Sequence, residues 1–395
     1  MTRALFLTWD GPDQTYIESL FVPLFQLVQK RGTTIDIASM TWADASVTHR
    51  WKQAASARGV GLHIARLQRG LGGFVHALTW VDELLRREGV DVLVVRSVIP
   101  AALGLLLGRP GLALVYDADG SLPEERADFL GWSKTGVRFT AARAVEDAIV
   151  RNAALTITRT QRSRTAMVQR TGVDPDNVVV CGYGRDPLRF SPASPAVRVE
   201  ARRALGITAD EPLLLFMGAL GAKSDPALLA ALFAAVRRRI GARLLVVSAD
   251  HKDAASACAA QGLTPWCTFM QVRPDDMPRL LAAADVGLAP MRALPSTAAV
   301  APLKIAEYLL SGLPVVGTRG IGDLEALLGQ QRGVCLLHSG TALELERGAA
   351  WVVNVALPQR AELAALNRRV GVDLFSSEIA AARFADVLMR ADGRR

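Results

Sequence analysis

The chain has 395 residues, half of them hydrophobic, a length that exceeds one typical domain and suits two domains with separate cores. Its net charge of +8 is spread evenly, because residues 1–192 hold 23 Lys or Arg against 19 Asp or Glu and the rest carry the same balance. No nucleic-acid motif accompanies this charge, so we expect no nucleic-acid partner. No apolar run approaches the roughly 18 residues of a membrane span, and the four cysteines lack metal-ligand spacing; we therefore expect a cytoplasmic protein with reduced thiols.

Strands and helices alternate through the first half of the chain. Uninterrupted apolar strands in such an alternation predict a parallel sheet with helices on both faces. The predicted helices are 16–30 and 74–87, and the predicted strands are 4–8, 34–39, 90–95, 112–116, 155–158 and 178–180.

Five polar residues and one glycine lie at or just after the ends of several of these strands, at the edge where α/β folds bind ligands. In chain order they are Asp10, Gly11, Gln14, Arg96, Asp117 and Asp119. The Asp117-x-Asp119 pair leaves a second interpretation open, because two carboxylates after a strand are able to hold a divalent cation. Such a pair is also common by chance.

One segment concentrates positive charge. Residues 134–170 hold eight Lys or Arg against Glu146 and Asp147, a net charge of +6. We expect this segment to contact an anionic membrane surface, on the inner face of the plasma membrane, since each base contributes up to about 1 kcal/mol there. The alternative is a solvated helix face.

A proline-rich linker separates the two halves. The linker is predicted at residues 185–195, because three prolines within residues 187–195 are incompatible with regular structure. A second alternating series follows, so we predict domains at 1–192 and 193–374 and a final helical stretch at 375–395. After the linker, the predicted helices are 226–239, 277–284, 304–311 and 377–390, and the predicted strands are 213–217, 243–248, 268–272, 286–289 and 314–316.

The stretch Val300–Thr318 joins a helix to a buried strand. Pro302 fits the first helical position, and Gly312 ends the helix. The helix N-terminus therefore lies near the strand carboxyl ends, where phosphates bind. Lys304 adds a positive charge to the first turn, which a bound anion would offset. Glu307 lies one turn further, where a carboxylate is able to accept hydrogen bonds from ribose hydroxyls. The alternative is an ordinary αβ unit with a solvated Glu307.

A glycine-containing loop follows the predicted strand 213–217. Gly218 would let the backbone approach a pyrophosphate, and Lys223 is within a few residues of it. The alternative interpretation of Lys223 is a solvated loop lysine.

The pattern Pro302-x-Lys304-x-x-Glu307-Tyr-Leu-x-x-Gly-x-Pro-Val-Val resembles the donor-site segment of family-4 retaining glycosyltransferases, the glycosyl transferases group 1 type. The resemblance implies the GT-B fold, an α/β architecture in which two Rossmann-like, doubly wound parallel-sheet domains face each other across a cleft. It also implies that residues 375–395 cross back to the first domain. It further implies a UDP- or GDP-sugar as substrate, with no cofactor and no metal.

The same resemblance assigns roles to individual residues. The residues implied for catalysis are Lys304, Lys223 and Arg96. Those implied for donor binding are Glu307, Gly218, Ala219, Val272, Arg273, Ala299, Val300 and Leu303, with Arg273 stacking on the nucleobase. Those implied for the acceptor side are Asp10, Gly11, Gln14, Asp117 and Asp119.

Several positions depart from the family pattern. Ala219 stands where an arginine is common, and Ala299 stands where many members have a second glutamate. Asp119 replaces a usual arginine, and Arg96 falls where relatives often have a His-x-His. Only Gly11 remains of a glycine-rich turn.

The resemblance implies a retaining, metal-independent glycosyltransferase that acts on a glycan or lipid-linked acceptor in the assembly of cell-surface polysaccharide or glycoconjugate. Two alternatives remain: a nucleotide-sugar epimerase of the same fold, and a catalytically silent partner subunit that binds the donor.

Overall fold

The computed structural model describes residues 2–11, 16–68, 70–338 and 340–393. The chain forms two compact units, one made of Met1–Tyr183 with Ser377–Arg395 and the other of Gly184–Ser376. Gln14, predicted on the acceptor side, lies outside the described residues.

The first unit is built on a parallel sheet, which has seven strands in the part of the chain that the structure describes. The strands are β1 (Arg3–Trp9), β2 (Thr34–Thr41), β3 (Leu62–Arg66), β4 (Val92–Arg96), β5 (Ala113–Asp117), β6 (Leu155–Thr158) and β7 (Val178–Val180). Their order is β3-β2-β1-β4-β5-β6-β7, so the winding reverses between β1 and β4.

Helices cover this sheet. They are α1 (Val22–Gln29), α2 (Ala45–Ser56), α3 (Leu71–Glu88), α4 (Val98–Leu107), α5 (Leu122–Leu130), α6 (Val137–Asn152) and α7 (Gln161–Thr171). A π-helical turn, Ile17–Phe21, leads into α1.

The second unit repeats this design with six parallel strands among the residues described. They are β8 (Leu213–Met217), β9 (Arg243–Val247), β10 (Cys267–Met270), β11 (Val286–Ala289), β12 (Val315–Thr318) and β13 (Val334–Leu337). The order is β10-β9-β8-β11-β12-β13, which places the reversal between β8 and β11. Its helices are α8 (Pro195–Ala204), α9 (Pro226–Arg237), α10 (Lys252–Ala260), α11 (Met277–Ala283), α12 (Leu303–Leu310), α13 (Leu324–Leu328), α14 (Ala342–Trp351) and α15 (Arg360–Phe375).

The last helix, α16 (Ser377–Asp392), belongs to the first unit and packs on α1. Its Phe384 ring lies 5.4 Å from the Phe25 ring and 6.5 Å from the Phe6 ring, measured between centroids. These aromatic contacts bury the apolar face of α16 in the core of the first unit.

The boundary between the units lies before Gly184, earlier than the expected boundary after residue 192. Phe190 is the reason, because it is part of the hydrophobic core of the second unit. Arg368 fixes the loop that contains Phe190, because it donates hydrogen bonds to the carbonyl oxygens of Pro187 at 2.8 Å and Phe190 at 2.6 Å.

The sequence analysis did not predict the strands β3 and β13 or several of the helices, among them α2, α4, α8, α10, α14 and α15. The strand β3 has only one buried residue, so it lacks the apolar run of a central strand. The strand β13 is a short edge strand, and α4 is apolar on nearly all sides, so that no polar face marks its period.

Candidate functional site

Helix α12 is fixed on the sheet of the second unit by a buried tyrosine. The Tyr308 hydroxyl accepts a hydrogen bond from the Met217 amide at 3.0 Å and lies 3.2 Å from the Leu288 carbonyl oxygen. The ring fills the space beside Gly287, where an added Cβ would stand 2.5 Å from it. This anchoring gives the side chains on the first turns of α12 fixed positions. The helix begins at Leu303, and Pro302, expected at its first position, instead precedes it with an extended ψ of 111°.

The Lys304 ammonium lies at the carboxyl end of β8. Its Nζ is 4.0 Å from the centroid of the Phe216 ring, and its Cε is 3.5 Å from the position that a Cβ on Gly218 would take. Gly218 has a φ of +101°, a conformation that other residues rarely adopt, so the turn beside the lysine favours glycine. Burial lowers the pKa of Lys304 to about 8, and the Glu307 carboxylate opposes this shift. The structure thus places Lys304, predicted to act in catalysis, beside Gly218, predicted to bind the donor.

Glu307 is buried and paired with an arginine. Its Oε1 lies 2.6 Å from the Arg185 Nη2, and only 8% of the residue is exposed. The interpretation of Glu307 as a solvated residue is therefore wrong. The sequence analysis assigned Arg185 to a linker and gave it no function, because nothing local marks its partner on α12.

The loop after β8 is a closed turn. The Ser224 hydroxyl donates to the Ala219 carbonyl oxygen at 2.9 Å, and the Lys223 carbonyl oxygen accepts from the Arg292 amide at 3.0 Å. Gly218, Ala219 and Lys223 therefore share one ordered turn at the carboxyl end of the sheet. The expected contact of the Lys223 side chain with a phosphate stays a prediction.

The loop after β10 carries an exposed arginine. The Arg273 side chain is 85% exposed, and its Nε lies 3.3 Å from the Asp276 Oδ2. Val272 is half-buried and packs against the core of the second unit. Stacking of Arg273 on a nucleobase stays a prediction.

The segment ahead of α12 is a folded turn. Pro295–Ala299 forms a 3₁₀ helix in which the Thr297 hydroxyl accepts from the Leu294 amide at 2.8 Å. Ala299 is buried, while Val300 and Leu303 are half-buried. In the place where many family members have a second glutamate, the chain thus has a packed apolar side chain.

A buried network of charges joins the strand ends of the first unit. The Arg96 guanidinium lies 3.0 Å from the Asp10 Oδ1 and 2.6 Å from the Asp119 Oδ2. Arg96 is only 6% exposed, and its carboxylate neighbours raise the pKa of its guanidinium against the effect of burial. Asp119 adopts a left-handed φ of +57°, which is uncommon for a residue other than glycine.

Asp117 stands behind this pair. It is fully buried and forms an ion pair with Arg159, and it accepts a hydrogen bond from the Tyr183 hydroxyl at 3.2 Å. The Arg159 guanidinium lies 3.8 Å from the centroid of the Tyr183 ring. The sequence analysis missed both Arg159 and Tyr183 as members of this network; Arg159 had been counted in the basic segment.

Gly11 is required by a close contact, since a Cβ there would stand 2.7 Å from the Trp42 ring. Thr8 donates a hydrogen bond to Asp10. These contacts fix the start of the loop that follows β1.

Four of the eight bases in residues 134–170, Lys134, Arg143, Arg159 and Arg170, form ion pairs with carboxylates. Glu124 pairs with Lys134 at 2.8 Å and with Arg143 at 2.7 Å. Arg170 pairs with Asp147 and with Glu146, the latter at 2.9 Å. The excess of +6 counted along the sequence therefore overstates the positive charge that this part of the first unit presents.

Among the residues described, no group of three or more His, Cys, Asp or Glu side chains could hold a metal ion. No helix in the same residues is both long and apolar enough to cross a membrane.

Two family descriptions match the chain. "Glycosyl transferase 4-like domain" matches residues 26–184, and "Glycosyl transferases group 1" matches residues 211–354. Together these regions cover most of the chain and fall one in each compact unit.

A curated relative, the D-inositol 3-phosphate glycosyltransferase of Corynebacterium aurimucosum, is 26% identical over 212 residues, which make up 51% of this chain and 49% of the relative. The chain thus matches about half the length, or less, of its curated relatives.

Solved structures share the whole fold. The sucrose-phosphate synthase of Thermosynechococcus elongatus superimposes with a TM-score of 0.75 at 17% identity, with all of both chains covered. Anabaena HepE in complex with UDP-glucose gives a TM-score of 0.75 at 18% identity, with 98% of this chain and 100% of HepE covered. These likenesses confirm the predicted GT-B fold class.

Proposed function

This chain belongs to the group 1 glycosyltransferases of GT-B fold, and we propose that it transfers a sugar from a nucleoside diphosphate, UDP or GDP, to a glycan or lipid-linked acceptor. Its place in the family supports retention of configuration at the transferred carbon. The anomeric C–O bond to the diphosphate breaks, and a bond from the same carbon to an acceptor oxygen forms on the same face.

The observation that carries this proposal is the position of the Lys304 ammonium, over the Phe216 ring and next to Gly218. An ammonium held over a core ring at the carboxyl end of a central strand is suited to stabilise a leaving diphosphate as charge builds up on it. The acceptor proton passes to an oxygen of the leaving phosphate, so that no separate general base is needed. Glu307 accepts hydrogen bonds from the donor ribose in this scheme, consistent with its position on the same helix as Lys304.

We also propose that the transfer is independent of metal. The two carboxylates that could bind a cation, Asp117 and Asp119, are instead paired with Arg159 and Arg96. A cation there would need to displace at least one arginine from its carboxylate.

The acceptor is proposed to be part of a cell-surface polysaccharide or glycoconjugate, met at an anionic membrane. The bases that support this contact are the exposed ones in residues 134–170, for example Arg138 and Arg151. Arg159 does not contribute, because it is buried.

The experiment that tests the proposed function compares purified wild-type protein with UDP- and GDP-sugars, by calorimetry and by release of nucleotide. A transferase releases nucleotide faster when an acceptor is added, an epimerase converts the donor without any acceptor, and a silent subunit binds the donor without turnover. Absence of binding to all of these nucleotide sugars would contradict all three.

Two substitutions separate binding from chemistry. Glu307→Ala is expected to weaken donor binding by about 1.5–3 kcal/mol, the size of a hydrogen bond to a charged group. Lys304→Ala is expected to reduce turnover more than binding, because its charge matters most as the leaving group departs. Wild-type donor affinity in Glu307→Ala would remove the ribose role.

A further inference from the structure

We propose that Arg185 is a positioning residue for the donor ribose, acting by holding the Glu307 carboxylate in one orientation. This inference rests on the proposed function, since it concerns the same site. It assigns a role to a residue at the very start of the second unit, far from α12 in the sequence.

The backbone of Arg185 is firmly held. Its amide donates to the Phe375 carbonyl oxygen at 2.7 Å. The loop that carries it is also tied to α12 by Arg368, whose Nη1 donates to the carbonyl oxygens of Leu310 at 2.9 Å and Phe190 at 2.6 Å. The guanidinium therefore reaches the carboxylate from a firmly held backbone, and Arg185 contacts the middle of α12 while Arg368 contacts its last residue.

The side chain of Arg185 is also packed. Its guanidinium carbon lies 5.8 Å from the centroid of the Phe190 ring, and 19% of the side chain is exposed. Phe190 is itself buried in the core of the second unit. A side chain confined between a core ring and a carboxylate loses little further freedom when a ligand binds, which favours preorganisation.

The charge of Arg185 compensates a costly burial. Glu307 is 8% exposed, and removing a carboxylate from water is unfavourable unless a cation or hydrogen-bond donors replace the water. Arg185 contacts Oε1, and an ionised carboxylate has about four acceptor positions on its two oxygens. Pairing through Oε1 is therefore compatible with acceptance of ribose hydroxyls through Oε2.

Positioning and direct phosphate binding make different predictions. If Arg185 acts through Glu307, its loss affects the part of the affinity that depends on the ribose hydroxyls. If it binds the diphosphate directly, its loss weakens all nucleotides by the same factor, whether or not they carry these hydroxyls. The measurement is therefore a ratio of two affinities.

The experiment measures, by calorimetry on the full chain, the affinity for UDP and for 2′,3′-dideoxy-UDP, or for the guanine pair if the wild type binds only GDP. In the wild type, the dideoxy nucleotide is expected to bind about 10- to 150-fold more weakly, as for lost hydrogen bonds to a charged group. In Arg185→Met this ratio is expected to fall toward one, as it does in Glu307→Gln. Arg185→Lys is expected to give an intermediate ratio, because it keeps the charge and loses the planar fork.

Arg332→Met is the matched control. Arg332 forms an exposed pair with Glu362 at 2.7 Å in the same unit, so its loss is expected to leave the ratio unchanged. Thermal unfolding checks each variant, and Arg185→Gln replaces Arg185→Met if the latter does not fold. If a folded Arg185→Met or Arg185→Gln variant keeps the wild-type ratio of UDP to dideoxy-UDP affinity, the role of Arg185 is overturned but the proposed function is not. A wild type that binds neither UDP nor GDP overturns both the inference and the proposed function.

Discussion

Arg96 and Asp119, two residues of the first unit that depart from the family pattern, contact each other, with 2.6 Å between Nη2 and Oδ2. An arginine where relatives often have histidine thus meets an aspartate where they usually have arginine. The two departures compensate each other in charge. The pair is completed by Asp10 on the other side of the guanidinium, at 3.0 Å.

We predict that Arg96→Met lowers the free energy of unfolding by about 3–5 kcal/mol, because it leaves the buried Asp10 carboxylate without its cation and leaves Asp119 with the longer contact to Arg159. Denaturant unfolding that follows the first unit measures this. Arg86→Met is the control, since Arg86 forms an exposed pair with Asp82 and its loss is expected to cost under about 1 kcal/mol.

The coupling between Arg96 and Asp119 is measured by a double-mutant cycle with Asp119→Asn. We expect a coupling energy of about 0.5–3 kcal/mol, the range for residues in one network. Strictly additive effects of the two substitutions would show that the contact does not link these residues energetically.

The acid-base behaviour of Lys304 provides the second prediction. Burial lowers its pKa to about 8 in the free protein. A bound diphosphate favours the ammonium form, so binding at pH about 8.5 is expected to take up a fraction of a proton, while binding at pH about 6.5 takes up none. Calorimetry in buffers of different ionisation enthalpy measures this uptake. Lys304→Arg is the control, because arginine stays protonated; equal uptake in both proteins would contradict the assignment to Lys304.

The same pKa has a consequence for stability. An unfolded lysine keeps its proton up to about pH 10.4, whereas folded Lys304 loses it near pH 8. Between these values the unfolded state binds more protons, so the contribution of Lys304 makes the free energy of unfolding rise with pH. Lys304→Met is expected to remove this rise.

The fold and the donor motif were predictable from the sequence because both depend on local patterns. The period of apolar residues marks strands and helices, and Lys304 and Glu307 fall one turn apart on a single helix. The ion pairs were not predictable, because each joins residues distant in sequence. Nothing near Arg185 or Arg159 identifies the carboxylate that it contacts, and Arg159 was misassigned to a surface segment for this reason.

Resistance to chelation is the third prediction. Turnover is expected to survive EDTA, because Asp117 and Asp119 are engaged by arginines and the charge on the leaving group is met by Lys304. Asp119→Asn is the informative substitution, since replacement of the fully buried Asp117 would remove the nearest carboxylate from the buried Arg159 and disturb the fold. A different result would establish a metal mechanism instead. In that case EDTA abolishes the turnover of the wild type, Mn²⁺ or Mg²⁺ restores it, and Asp119→Asn is inactive with or without metal.

The last prediction concerns the membrane. The exposed bases Arg138, Arg151 and Arg162 lie in residues 134–170, and Val137, beside Arg138, is 85% exposed. We expect the protein to bind vesicles that contain anionic lipid at low salt and to detach as salt rises, since the Debye length falls from about 10 Å at 0.1 M to about 3 Å at 1 M. Reversal of these three bases to Glu should abolish binding while nucleotide affinity in the second unit is unchanged. Arg159 is left intact in this test because it is buried against Asp117. Wild-type protein that ignores such vesicles at low salt would favour an acceptor that is not carried by a membrane.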